Sequence, residues 1–89
     1  MKIEKFAFAG TMESSDAYVE VEPCDEGIQV EVESVVKEQF GEDIKRAIQD
    51  VLQEQNIDNA TVRINDRGAL ECVIRARVET AVLRGKGDA

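Results

Sequence analysis

The stretch from Ala17 to Glu33 reads AYVEVEPCDEGIQVEVE, and it decides the fold class. Apolar and polar residues alternate over 17–22 and again over 28–33, and residues 23–27 separate the two runs. Alternation with period two predicts half-buried β-strands, and the Pro, Asp and Gly between them predict a turn. Each of these strands has one acidic face, which is typical of an antiparallel sheet that is covered on one side only.

Two further strands and one helix are predicted around this core pattern. Residues 4–11 alternate Phe6 and Phe8 with alanines, and residues 60–65 alternate again. Residues 35–55 predict a helix with Ser34 as its N-cap and Gly41 as the candidate position for a kink. The helix has an apolar stripe at a spacing of three and four, which contains Val36, Phe40, Ile44, Ile48, Val51 and Leu52.

Residues 69–83 fit both a strand and a helix, since their apolar residues satisfy period two and also a helical stripe. The length of this run favours the helix. The element order therefore predicts an α+β two-layer sandwich, a mainly antiparallel sheet of about four strands covered on one face by two helices. We expect a single domain over 1–84 and a flexible tail over 85–89.

The composition argues against catalysis by the chain itself. A domain of 89 residues has a small core with little room for a deep substrate pocket. There is no histidine, so the commonest general base and metal ligand are both missing. We expect neither catalytic residues nor a metal site. Cys24 and Cys72 are far apart, and we expect two buried, reduced thiols, with Cys72 on the apolar side of the last helix.

The net charge of −8 makes nucleic acid and anionic membranes unsuitable partners, because there is no basic patch to neutralise phosphates. Acidic surfaces favour basic protein partners, although ordinary solvation charge is the alternative explanation. We find neither a secretory segment nor an apolar run of about 20 residues that could span a membrane. The expected location is the cytoplasm.

One exposed turn carries a group that another enzyme could modify. Ser14 and Ser15 lie between Glu13 and Asp16 in a stretch rich in turn-forming residues. A serine without a neighbouring base is a poor nucleophile, but it is a suitable acceptor when a partner enzyme supplies the base. From the residues alone, an unmodified turn is the alternative.

Three weaker candidates each have a structural alternative. The 66–68 turn is either a ligand loop or a plain turn. Arg75 and Arg77 could clamp a phosphate, or they could pair with Glu71 or Glu79 on the same helix. Acidic residues could bind a cation on the wet sheet face, where solvation is the alternative; they are Glu20, Glu22, Glu31 and Glu33.

Four segments resemble the citrate lyase acyl carrier protein, the gamma chain of citrate lyase. They are AGTMESSD at 9–16, VKEQFG at 36–41, DRGALEC at 66–72 and RARVE at 75–79. The likeness covers residues 1–83 in order. The first and third segments are the most specific, since they combine a G-T-x-E-S turn with a late D-x-G-A-L segment.

The resemblance implies a carrier role and a modified serine. In that family the serine of the G-T-x-E-S turn carries 2'-(5''-phosphoribosyl)-3'-dephospho-coenzyme A, and the match places this group on Ser14. A prosthetic-group transferase attaches it. Because Glu13 and Asp16 would repel the anionic precursor, we expect the transferase to supply positive charge. The family has Gly or Ser at the position of Ser15.

The same resemblance implies citrate lyase alpha and beta chains as partners. The alpha chain exchanges the acetyl group of the carrier's thioester for citryl and releases acetate. The beta chain then cleaves the citryl thioester to oxaloacetate and regenerates the acetyl thioester. The alternatives are the carrier subunit of malonate decarboxylase, that of citramalate lyase, and an unmodified acidic adaptor domain that binds a basic protein.

Overall fold

The computed structural model describes residues 3–35 and 37–86, with the backbone alone at 37–40. Four strands and two helices follow in the order β1 Ala7–Gly10, β2 Ala17–Glu22, β3 Ile28–Ser34, α1 Lys37–Glu54, β4 Ala60–Asp66 and α2 Glu71–Gly85. The predicted α+β sandwich is confirmed, and the region from 71 onward is a helix as its length indicated. None of the helices in the described ranges is long and apolar enough to cross a membrane.

The sheet has the order β1-β2-β4-β3. β1 pairs with β2 and β2 with β4 in antiparallel fashion, whereas β3 and β4 are parallel. Parallel neighbours need a long crossover, and α1 provides it between β3 and β4. The sheet is therefore mainly antiparallel, as predicted, with one parallel pair at its β3 edge.

The core lies between one sheet face and the two helices. Valines and isoleucines from the two central strands are buried, and they meet one side of each helix. The buried helical residues include Ile44, Ile48, Val51, Ile74 and Val78. α2 contacts β1 and β2, and α1 contacts β3 and α2. The opposite sheet face has no covering element among the described residues.

The start of α1 differs from the prediction. Ser34 is not an N-cap: it is the last residue of β3, and its hydroxyl donates to the Asp66 carboxylate at 2.8 Å. Gly41 does not interrupt the helix, which runs without a break to Glu54. The stripe is confirmed at Ile44, Ile48 and Leu52, whereas the Phe40 side chain and Val36 lie outside what the structure describes.

The start of α2 corrects a second expectation. Cys72 is exposed, not buried, and Leu70 is 72% exposed because it precedes the helix at the N-cap position. Both cysteines are free thiols in the structure. At the other end α2 continues to Gly85, which is buried and whose carbonyl accepts from the backbone of Glu4 and Lys5. Residues 87–89 of the expected tail lie outside the described range.

Replacing Ile48 by Ala tests the packing of α1. Ile48 is fully buried against the sheet, so we expect the free energy of unfolding to fall by about 2–5 kcal/mol, measured by urea denaturation. Gln53 is exposed on the same helix, and Gln53→Ala should change stability by no more than about 0.5 kcal/mol. Equal effects of the two substitutions would show that the stripe is not core.

Candidate modification site in the serine loop

The serine loop, residues 11–16, connects β1 to β2. Its entry is fixed by Gly10, which has a φ of +94°, in the left-handed region that favours glycine. A Cβ at this position would collide with the carbonyl oxygen of Ala17, where the loop ends. Glycine at position 10 therefore lets the two ends of the loop approach closely.

The carboxylate of Asp16 holds the loop from inside. It accepts from the Thr11 hydroxyl at 2.6 Å and from the backbone N–H of Ala17 at 2.7 Å. Arg77 of α2 donates to it through two nitrogens, at 3.0 and 3.1 Å. Such a two-nitrogen contact fixes orientation as well as distance. The loop is thus attached to a helix that lies 61 residues away in the sequence.

These contacts keep Asp16 ionised. The hydrogen bond from Thr11, the contact with Arg77 and the N–H of Ala17 together hold the pKa of this carboxyl far below its usual range. The negative charge of Asp16 is therefore paired with Arg77, and the side chain is only 16% exposed. Of the two carboxylates expected to repel an incoming anion, Asp16 is paired with Arg77, whereas Glu13 lies exposed beside the serines.

A second attachment joins the serine loop to the turn after β4. The N–H of Ser15 donates to the carbonyl of Arg67, and the N–H of Arg67 donates to the carbonyl of Asp16, both at 2.9 Å. The turn is held by Asp66, whose carboxylate is 1% exposed and accepts from the N–H groups of Gly68 and Ala69. The loop therefore rests on two fixed supports, α2 and this turn.

The two serines occupy different backbone conformations. Ser15 has a φ of 67°, in the left-handed region, and its N–H is bonded to Arg67. Ser14 is exposed, and its hydroxyl has no hydrogen-bond partner within the described residues. A left-handed conformation is easier for Gly than for other residues. Glycine would therefore adopt the backbone conformation of residue 15 more easily than serine does.

The other candidate sites from the sequence are all engaged in structural contacts. Asp66 is a buried acceptor, so the 66–68 turn is a structural turn. Arg75 pairs with Asp50 at 3.1 Å and with Glu71 at 3.5 Å, and the second pairing was predicted. Arg77 pairs with Asp16 and not, within the described part of the chain, with Glu71 or Glu79.

The acidic sheet face also lacks a cation site. Arg63 pairs with Glu20 at 3.2 Å and with Glu22 at 2.6 Å. Among the described residues, we find no group of three acidic or sulfur-bearing side chains that could hold a metal ion. The face is a charged surface whose central arginine neutralises part of its carboxylates.

Sequence reasoning missed the residues that hold the serine loop. Thr11, Asp16 and Arg77 form one hydrogen-bonded group, but no local pattern connects Arg77 to the loop. The backbone bridge through Arg67 was missed for the same reason. The density of Gly, Thr and Asp in 10–16 indicated a turn. It did not indicate which residues elsewhere in the chain hold that turn in place.

Comparisons with known proteins agree with the resemblance seen in the sequence. A family model described as the acyl carrier protein, malonate decarboxylase delta subunit, matches residues 4–85. The citrate lyase acyl carrier protein of Escherichia fergusonii is 54% identical over 85 residues, covering 94% of this chain and 88% of that protein. The protein of the same name in Haemophilus influenzae is 49% identical over 88 residues, covering 99% and 92%.

A solved structure shares the fold. A chain in a Pseudomonas malonate decarboxylase hetero-tetramer in complex with malonate superimposes with a TM-score of 0.77. The match covers 94% of this chain and 91% of that chain, at 21% sequence identity. The chain belongs to the acyl carrier protein family that includes the citrate lyase acyl carrier proteins and the malonate decarboxylase delta subunit.

Proposed function

We propose that this chain is the acyl carrier subunit of a citrate lyase complex and that Ser14 is its attachment site. The observation that carries the proposal is the exposed position of Ser14 on a loop that is held both by α2 and by the turn after β4. Relatives about 50% identical bear the name citrate lyase acyl carrier protein, which supports the choice of complex.

The loop fits a bulky covalent group. Residues 11–15 are all exposed, so a group on Ser14 would extend into solvent without displacing core side chains. The proposed group is 2'-(5''-phosphoribosyl)-3'-dephospho-coenzyme A, which supplies a terminal thiol that holds acetyl and citryl as thioesters. Its attachment to Ser14 requires no base from this chain, since the transferase brings one.

The chain's own residues would position the serine. Asp16 and Arg77 fix the loop relative to α2, and Gly10 and Arg67 fix its two ends. A fixed tether point limits the volume that a bound substrate explores, which raises its effective concentration at the partners' active sites. The alpha and beta chains of the lyase would perform the chemistry, and the carrier is a non-catalytic subunit of that complex.

The choice of complex is the part of the proposal with close alternatives. The delta subunit of malonate decarboxylase belongs to the same family and a chain of that enzyme has the same fold, but the relatives at about 50% identity described above carry the citrate lyase name. A citramalate lyase would use the same kind of carrier with different partner chains. An unmodified adaptor domain would carry no covalent group on Ser14.

Mapping the modified residue tests the attachment site. When the chain is co-expressed with the transferase and the precursor of the group is present, we expect one adduct on the peptide that contains Ser14. Ser14→Ala should abolish the adduct, measured by intact mass and peptide mass spectrometry, without changing the circular dichroism spectrum. Ser15→Gly is the matched control, since glycine accepts the left-handed φ of 67°. An adduct that persists in Ser14→Ala would overturn the assignment.

Replacing Arg77 by Met tests the support of the loop. Loss of the Arg77–Asp16 contact should slow transfer of the group to Ser14 about fivefold or more at limiting enzyme, because the loop would sample other orientations. Arg75→Met is the control: Arg75 lies on the same helix but pairs with Asp50 and Glu71, so its loss should leave the transfer rate within about twofold. Equal rates for both variants would contradict a positioning role.

The stability difference between the wild type and Asp16→Asn, which removes the titrating carboxylate, should depend on pH in a defined direction. The pKa of Asp16 is lower in the folded chain than in the unfolded chain, where it is about 3.9. The contribution of the ionised carboxylate is therefore fully present well above pH 4 and is lost as the pH falls toward the folded-state value. Urea unfolding between pH 7 and pH 2.5 should show the difference shrinking below about pH 4. A difference independent of pH would contradict the assignment.

A further inference from the structure

A cluster of exposed apolar side chains lies around β1. Seven large hydrophobic residues are exposed among those described, and four of them, Phe6, Phe8, Met12 and Leu83, lie near this strand. Phe6 and Phe8 are on or directly before β1, Met12 follows it in the serine loop, and Leu83 is on α2 at the edge of β1. Together with the half-buried Tyr18 they form what we call the β1 ridge. Exposed apolar residues are ordinary when they are scattered, whereas clustering on one side indicates a contact surface.

Contacts show that the ridge is continuous. Leu83, Phe6 and Phe8 line one cleft of about 420 Å³. The rings of Phe6 and Phe8 lie 6.3 Å apart and those of Phe8 and Tyr18 lie 5.8 Å apart, within the range of aromatic contacts. Tyr18 and Met12 then line a second cleft of about 300 Å³. The ridge therefore runs from the end of α2 to the serine loop, and Met12 is two residues before Ser14.

An acidic surface borders the ridge. The strand register places Phe8 beside Glu20, Glu20 beside Arg63 and Arg63 beside Glu31, all on the uncovered face. The face also includes Glu22 and Glu33 by alternation along the same strands. Four carboxylates and one guanidinium give a net charge of −3 for these five side chains. A matching surface would therefore present an apolar patch bordered by Lys or Arg.

The free edge of β1 is poorly suited to pairing with an added strand, so a partner would contact the side chains of the ridge instead. β1 is the short edge strand of the sheet, and Arg84 donates to the carbonyl of Phe8 at 2.8 Å. An added strand at this position would have to displace that contact. The ridge is consequently suited to a folded protein surface that meets it through side chains.

We propose that the β1 ridge is the docking surface for a larger partner protein whose own surface has an apolar patch bordered by basic residues. The identification of that partner as the alpha and beta chains of the lyase rests on the function proposed above. A second copy of this chain fits less well, because two acidic faces would repel each other. Docking through the ridge would hold the serine loop at the border of the interface, where a group on Ser14 can reach the partner.

The test is binding of the full-length, modified chain to purified alpha and beta chains by titration calorimetry. Phe6→Ser/Phe8→Ser should weaken binding at least tenfold. Val35→Ser/Leu70→Ser is the matched control, since both residues are more exposed than the phenylalanines and lie outside the ridge. The control should stay within twofold of the wild type, and thermal melts should confirm that both variants are folded.

A second pair of measurements tests the charge border. Glu31→Gln/Glu33→Gln should slow association at low salt, and the effect should vanish at high salt because screening removes long-range attraction. Binding of the phenylalanine variant at wild-type strength would overturn the ridge as a docking surface. A wild-type dimer in sedimentation that this variant abolishes would assign the ridge to self-association and overturn the proposal as well.

The same titrations separate this inference from the proposed function. If the wild-type chain fails to bind the alpha and beta chains at all, the proposed function and the identity of the partner fail together. If the wild type binds and the phenylalanine variant binds equally well, only the ridge assignment fails.

Discussion

The carboxylate of Asp16 connects the serine loop to the rest of the molecule. It accepts from Thr11 within the loop, from the N–H of Ala17 at the start of β2 and from Arg77 on α2. A loop attached only at its two ends would move relative to the helices, whereas this loop is fixed to one of them. The position of Ser14 is consequently set by the packing of α2 on the sheet, and the buried contacts of Val78 and Val82 support it indirectly.

Covering one face of the sheet divides the molecule into two parts with different tasks. The helix-covered face holds nearly all buried residues and gives the small domain its stability. The other face is exposed to solvent and does not form the core, so it can present aromatic side chains at β1 and carboxylates toward β3. This arrangement allows a domain of 89 residues to combine a packed core with a broad contact surface and leaves little volume for an internal active site.

The sequence was sufficient to predict the helices and strands, but it was insufficient to predict the long-range contacts between them. Period two located every strand and a period of three to four located α1, because burial on one side leaves that pattern in the order of residues. Residues 69–83 fit both periods, and their length identified α2. The parallel pairing of β3 with β4 was not predicted, since alternation does not distinguish parallel from antiparallel neighbours. Cys72 was misplaced because it fits the period-two pattern of 69–83 and not the helical stripe: within α2 it lies about 200° around the axis from the buried Ile74.

The serine loop shows the same limit at the candidate site. Composition identified an exposed turn, and the family resemblance selected Ser14, but neither could show that Arg77 pairs with Asp16 or that Ser15 has a φ of 67°. These facts depend on how α2 lies across the sheet, which only the folded chain determines. The left-handed φ of Ser15 also distinguishes this residue physically from Ser14, whereas the turn composition alone did not separate the two serines.

A fixed loop is useful to a carrier because the catalytic groups belong to other proteins. Under the function proposed above, the partner enzyme brings the base that activates the hydroxyl of Ser14 and has to meet this hydroxyl in one orientation. Each support that holds the loop reduces the number of orientations that a partner has to select, and thereby the entropy lost on binding. Under the same proposal, the Asp16–Arg77 contact and the bridge through Arg67 contribute the position of Ser14, and the partners contribute the chemistry.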